Sequence, residues 1–401
     1  MTANLRTKPL FISAAAGMFV FGIVLAVLGT AFGMPEMRAR LHADLAQQGN
    51  LFLLLYLGIF LSNFVAGPLI DSIGNKWVLL VSSLLVAAGL AGFAGSHSFA
   101  AAAASGFLLG FGGGGLNTST NALVSDIYGE NRGAMLNLLG VFFGFGALFV
   151  PLLAASLTRW TTVPQLLLGA AALPLVCAVA YGALAFPLGR RGGKTAFLDT
   201  VRALQFPGVG VLAILLFFES GNEAVIGGWT SRYVGAVGVP PRAATLVLAC
   251  YWASLMAGRV MAAPLLRRFT KQQMIMGSAA GGVLGCALLV LGNSTPVFAL
   301  ATVVTGLSFA PIFTCALGVA GDRYPHSVGS VFGMLFAVAL LGGMLSPWAV
   351  GHISQSYEAA YGGTAVRFGM LVPLAGALLN CAIAAWMLRA EREAMHRIAE
   401  P

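Results

Sequence analysis

Charge is scarce in this chain: Asp, Glu, Lys and Arg make up 9% of its 401 residues, against about a quarter in an ordinary soluble domain. Acids are the scarcer sign, 13 against 22 basic residues, which leaves a formal charge of +9. Cysteine is limited to Cys177, Cys250, Cys286, Cys315 and Cys381, all inside apolar stretches and none in C-x-x-C spacing. That pattern argues against a disulfide framework or a metal site and for small packing residues. Neither H-E-x-x-H nor G-x-x-x-x-G-K-[ST] occurs, so a zinc protease and an ATP-driven pump lack support. The run "GFGGGG" at 110–115 matches G-x-G-x-x-G in letters only. No strand precedes it and it lies in an apolar span, so close helix packing explains it better than a dinucleotide. No cofactor is expected.

What the chain has instead is apolar surface. Hydrophobic residues reach 58% and the mean hydropathy is +0.88, more than any water-soluble fold of this length can hide. The solvent must be lipid, and the 52 glycines suit membrane helices that pack closely. A span needs roughly 20 apolar residues. Windows that qualify are 10–34, 50–70, 77–95, 98–125, 133–157, 163–187, 206–231, 243–263, 274–292, 297–321, 328–351 and 368–388. An all-α membrane protein of twelve transmembrane helices is expected, with both termini on one side. Arg6 and Lys8 ahead of the first window resemble a signal peptide, but its length and the spans that follow make it a retained first helix.

The basic residues orient the chain. With the N-terminus inside, the cytoplasmic side collects Arg6, Lys8, Lys76, Arg132, Arg190, Arg191, Lys194, Arg202, Arg259, Arg267, Arg268, Lys271, Arg323, Arg389, Arg392 and Arg397. The outside receives Arg38, Arg40, Arg159, Arg232, Arg242 and Arg367. Sixteen against six places both termini in the cytoplasm of a bacterial inner (plasma) membrane. The same bias explains the pI near 9.7 without nucleic acid.

The chain also repeats itself. A shift of 196 residues lays "GPLIDSIGNK" (67–76) on "APLLRRFTKQ" (263–272) and "DIYGENRG" (126–133) on "DRYPHSVG" (322–329). It also pairs Pro151 with Pro347 and Gly110 with Gly306. One constant offset in separate regions implies duplicated six-helix halves, 1–187 and 206–401, joined by a cytoplasmic linker at 188–205.

Ionisable groups deep in a membrane cost roughly 2.5–3.5 kcal/mol each on insertion scales, so they carry functional weight. Eleven acids fall in loops, tails or helix ends; only Glu219 and Glu223 lie near the centre of a span, the seventh. Spaced four apart, they share a helix face with Asn222. Two carboxylates one turn apart in a low dielectric do not both ionise readily. The pair therefore suits proton coupling, substrate binding or both; the plainer alternative is a hydrogen-bonded pair that never titrates. Asn117, Thr120 and Asn121 form a second polar stripe in the fourth span. It suits a neutral polyol, or serves as interhelical glue. Trp229, Tyr251 and Trp252 are candidates for a sugar-stacking wall, with the aromatic belt as the alternative for Trp229.

In "GPLIDSIGNK", Gly67 and Gly74 permit close approach and a tight turn. Asp71 is placed to pair with Arg132 and latch the cytoplasmic face, or to make an inert loop contact; Lys76 closes the motif. This G-x-x-x-D-x-x-G-x-K loop resembles the signature loop of the major facilitator superfamily. Further, "NEAVIGGWTSRY" (222–233), "AGRVMAAPLLRRF" (257–269) and "LNLLGVFFGFGALFVPLL" (136–153) resemble the fucose permease-like sugar–proton symporters. The resemblance implies two pseudo-symmetric bundles working by alternating access, a small-molecule substrate and a monomer in the bilayer. It makes Glu223 the group's acidic position and Arg259 part of a recurrent Gly-Arg pair, with snorkelling to the interface as the plainer account of Arg259. The chain departs from fucose permease in lacking an acid in the first span and in carrying Asn117 before Thr118. The leading expectation is proton symport of a small polar solute. The alternative is proton-antiport export of drugs or metabolites, which Val150 before Pro151, in place of a Gly-Pro motif, disfavours. An enzyme would need a nucleophile, base or metal cluster that the sequence does not offer.

Overall fold

A computed structural model of the chain describes residues 7–187 and 202–399. The linker's 188–201, with Arg190, Arg191, Lys194 and Asp199, lies outside the described residues, as do Arg6 and Glu400. Among the described residues there is no strand, and twelve long helices carry the fold. They are α1 Thr7–Gly33, α2 Leu45–Ile73, α3 Asn75–Gly95, α4 Phe99–Tyr128, α5 Arg132–Leu157, α6 Val163–Ala183, α7 Val209–Ala236, α8 Pro241–Leu265, α9 Lys271–Leu291, α10 Thr295–Arg323, α11 Val328–Tyr361 and α12 Leu371–Ala399. Each of the twelve apolar windows corresponds to one helix.

Helix ends depart from the windows, and several starts are set by polar caps. Asp44 and Gln47 form a capping box at the start of α2, and Thr162 with Gln165 and Thr270 with Gln273 do the same for α6 and α9. Each box satisfies two N–H groups that a helix start leaves without partners. Between α1 and α2, the short helix Pro35–Leu41 ties the connecting loop down. Arg38 donates to Phe32 O at 2.6 Å, and Glu36 accepts from Val163 N at 3.0 Å. Burial holds the Arg38 guanidinium below the usual arginine value.

The fold divides into two compact units. One takes α1–α6 together with Gly228–Ala249; the other takes α7 as far as Gly227 and the chain from Cys250 onward. Residues Gly228–Ala249 thus group with the first unit although they follow the linker in the chain. In the first unit α4 packs on α2, α3 and α1. The glycine run makes this possible: a Cβ on Gly112, Gly113 or Gly114 would strike α3, α1 and α2 in turn. In the second unit α9 packs on α10 and α12, and Gly342 of α11 lies against the Phe217 carbonyl of α7.

Candidate functional site

The second unit holds the acids. Glu219 is 0% exposed, and its Oε2 accepts from Asn380 Nδ2 of α12 at 3.3 Å. Its Oε1 has no hydrogen-bond partner among the described residues. One turn on, Glu223 turns elsewhere: Arg259 Nη2 of α8 lies 3.8 Å from its Oε1. The Glu223 side chain keeps 22% of its surface and Arg259 31%, so this pair is partly open while Glu219 is sealed. Arg259 thus reaches an acid inside the unit, which replaces the snorkelling account.

Asn222 has a structural task. With its amide oriented to satisfy both ends, it donates to Phe218 O and Pro373 O, each at 3.3 Å, and accepts from Ala377 N at 3.2 Å. Pro373 O and Ala377 N bound one turn of α12, so the amide pins α7 to that turn. Gly376 leaves the space, since a Cβ there would meet Asn222 Oδ1. Tyr251 and Trp252 of α8 are buried and pack edge to face, ring centroids 5.2 Å apart. Tyr251 Oη reaches Glu223 O at a long 3.5 Å. Gly227 lets the Trp252 ring lie against α7.

The first unit holds the amide stripe. Asn121 Nδ2 donates to Asn117 O at 2.8 Å and Asn117 Oδ1 at 3.0 Å, so the two half-buried amides act together. Thr118 Oγ1 donates to Asn63 Oδ1 of α2 at 2.9 Å. Thr120 is fully buried, and its hydroxyl bonds back to Leu116 O at 2.8 Å and Asn117 O at 3.2 Å. Trp229 is 1% exposed and packs on Phe52 of α2, centroids 5.7 Å apart, which rules out the aromatic belt. Close by, Ser231 Oγ donates to Gly29 O of α1 at 2.5 Å.

The signature loop behaves differently from its expected latch. Gly74 has φ +84°, the turn only glycine adopts freely. Gly67 faces open space, so close approach does not explain it. Asp71 is exposed, and among the described residues no ion pair joins it to Arg132. Lys76 Nζ instead donates to Gly182 O at 2.8 Å and Leu184 O at 3.2 Å, capping the end of α6. The second unit has its own ion pair, Lys271 with Asp322.

Asn380, Asn63 and the Lys271–Asp322 pair escaped the sequence reading. Asn380 was detectable as a lone amide in the apolar run of the twelfth span; the other partners lie too far along the chain to be paired by spacing.

Twelve membrane-length helices in duplicated halves, with buried polar groups inside each unit, define a multi-pass membrane protein. The chain belongs to the Major Facilitator Superfamily, whose family model matches residues 14–199 and 212–400. It is 25% identical to the uncharacterized transporter y4wD of Sinorhizobium fredii over 358 residues, 85% of this chain and 90% of that protein. It is 22% identical to the multidrug efflux protein YfmO of Bacillus subtilis over 391 residues, 93% and 96% of the two chains. A shorter match, 29% over 157 residues, covers 38% of this chain and 30% of Major facilitator superfamily domain-containing protein 4A of Danio rerio. In fold, the nucleoside transporter NupG superposes with TM-score 0.77 at 17% identity, covering 96% of this chain and 99% of that one. A D-xylose-proton symporter gives TM-score 0.74 at 13% identity, covering 93% and 97%.

Proposed function

We propose that this protein is a secondary active transporter that moves a small polar solute, a sugar or similar polyol, by alternating access coupled to protons. It acts as a monomer in a bacterial inner membrane with both termini cytoplasmic. The observation that carries this reading is the pair of acids on α7 with unlike partners, Glu219 on Asn380 and Glu223 on Arg259. Opposite charges about 4 Å apart attract by about 4 kcal/mol at an effective dielectric of about 20. A proton on Glu223 cancels that attraction and frees the five N–H groups of Arg259 for the solute. Loading one proton and binding one solute thereby become a single coupled event. Asn117, Asn121 and Asn63 offer amides, the chemistry that suits uncharged hydroxyls. Sugar and nucleoside carriers among the similar proteins support this solute class without choosing a member.

Glu223→Gln keeps the shape and removes the titration. The variant should reach the membrane, bind and exchange solute, and fail to accumulate it when a pH gradient is imposed. Full accumulation by Glu223→Gln sinks the coupling role. The likeness to YfmO over nearly the whole chain favours one second reading, drug or metabolite export by proton antiport. Drug susceptibility and efflux in a deletion strain separate the two.

A further inference from the structure

A groove of about 330 Å³ opens on the second unit between α8, α9 and α10. Met261 and Leu265 line it from α8, Leu307 and Pro311 from α10, and Phe269 stands at one end. Its floor is Gly277 of α9, where an added Cβ would meet nothing within 4 Å. Met261 and Phe269 are half exposed, so the groove is open to the lipid side of the helices. It runs roughly 10 Å along α8 from Gly258 to Leu265, about two helical turns.

Two arginines adjoin the Phe269 end in the chain. Arg267 and Arg268 immediately precede Phe269, both are exposed, and neither makes an ion pair among the described residues. Lys271 is different, being held by Asp322. The repeat makes a built-in comparison. Under the 196-residue shift, Arg267 corresponds to Asp71, Gln273 to Trp77 and Gly277 to Val81. The first half therefore has an acid where the second has an arginine, and bulky exposed side chains where the second has an amide and a bare backbone. At these matched positions the open floor and the basic end belong to the second half.

We infer that this groove is a binding site for an anionic phospholipid, with an acyl chain along Met261, Gly277 and Leu307 and the headgroup phosphate on Arg267 and Arg268. A largely apolar channel, with two exposed arginines next in the chain to the Phe269 at its end, offers chemistry for both parts of such a molecule, and Arg forks suit phosphate oxygens. The site lies on the outer flank of α8–α10, whereas Glu219 and Glu223 face α12 and Arg259, so its failure would leave the transport reading standing.

The test is native mass spectrometry of detergent-purified protein titrated with dioleoyl phosphatidylglycerol and with dioleoyl phosphatidylcholine, which share their chains. The protein should retain phosphatidylglycerol preferentially. Arg267→Gln with Arg268→Gln should weaken phosphatidylglycerol by roughly 10–30-fold and leave phosphatidylcholine unchanged, as about 1 kcal/mol per arginine implies. Gly277→Leu, whose Cβ enters open space on the floor, should weaken both lipids. Lys8→Gln with Arg389→Gln removes equal charge elsewhere and should change neither. Equal retention of the two lipids by the unaltered protein overturns the site, as does an equal loss in the Lys8/Arg389 control. Should the double arginine variant not fold, unchanged lipid binding by Gly277→Leu overturns it alone.

Discussion

Glu219 and Glu223 stand one turn apart on α7, yet one faces an amide and the other a guanidinium. That split gives them different sensitivities. Asn380→Leu takes from Glu219 the amide it bonds in a sealed site, at about 1–3 kcal/mol for an unsatisfied buried group. The melting temperature of the detergent-solubilised protein should fall. Adding Glu219→Leu to that variant should recover most of the loss, because removing both partners leaves nothing unpaired. A double variant no more stable than Asn380→Leu would show that the two side chains do not interact. The acids were legible in the sequence because a carboxyl in lipid is costly wherever it sits. Asn380 was not weighed, since an amide in a span is common enough to pass as packing. Asn222 was legible as sharing a face with the acids; its bonds to α12 were not, because nothing along the chain shows that Gly376 leaves room for it.

At the scale of elements, both halves use the same device at the crossing of their first and fifth helices. Gly146 of α5 lies against the Phe19 carbonyl of α1, and Gly342 of α11, its counterpart in the repeat, against the Phe217 carbonyl of α7. Gly342→Val should force α7 and α11 apart and cost about 1–3 kcal/mol of overpacking, read as a lower melting temperature and reduced transport. Gly67→Ala, in open space, should change stability little. Equal effects of the two substitutions would contradict the packing account. The existence of all twelve helices was legible, since each is an apolar run of membrane length. Their ends were not. Asp44 and Thr270 start helices ahead of the apolar windows, α6 stops at Ala183 short of the end of its window, and α11 continues to Tyr361, ten residues past its window, through the polar "HISQSYEAAY".

For the whole molecule, the asymmetry of basic residues assigns the loops to sides. Trp160, 76% exposed between α5 and α6, should face outward, and His326 between α10 and α11 should face the cytoplasm. In a background with the five native cysteines replaced, a membrane-impermeant maleimide should label Trp160→Cys in intact cells. It should label His326→Cys only after permeabilisation. The reverse pattern would invert the orientation and, with it, the direction proposed for proton-driven uptake.

The amino-acid order by itself determined how many times the chain crosses lipid, that its halves are copies, and which span carries acid. Those properties follow from constraints that act along one dimension: the length of an apolar run, its recurrence, and the cost of each charge. The tertiary structure alone decided partners. Glu219 meets Asn380 across 161 positions, Lys76 caps the end of α6, and buried Trp229 packs on Phe52. Each contact depends on how separate helices turn their faces toward one another, which packing sets and spacing along the chain does not.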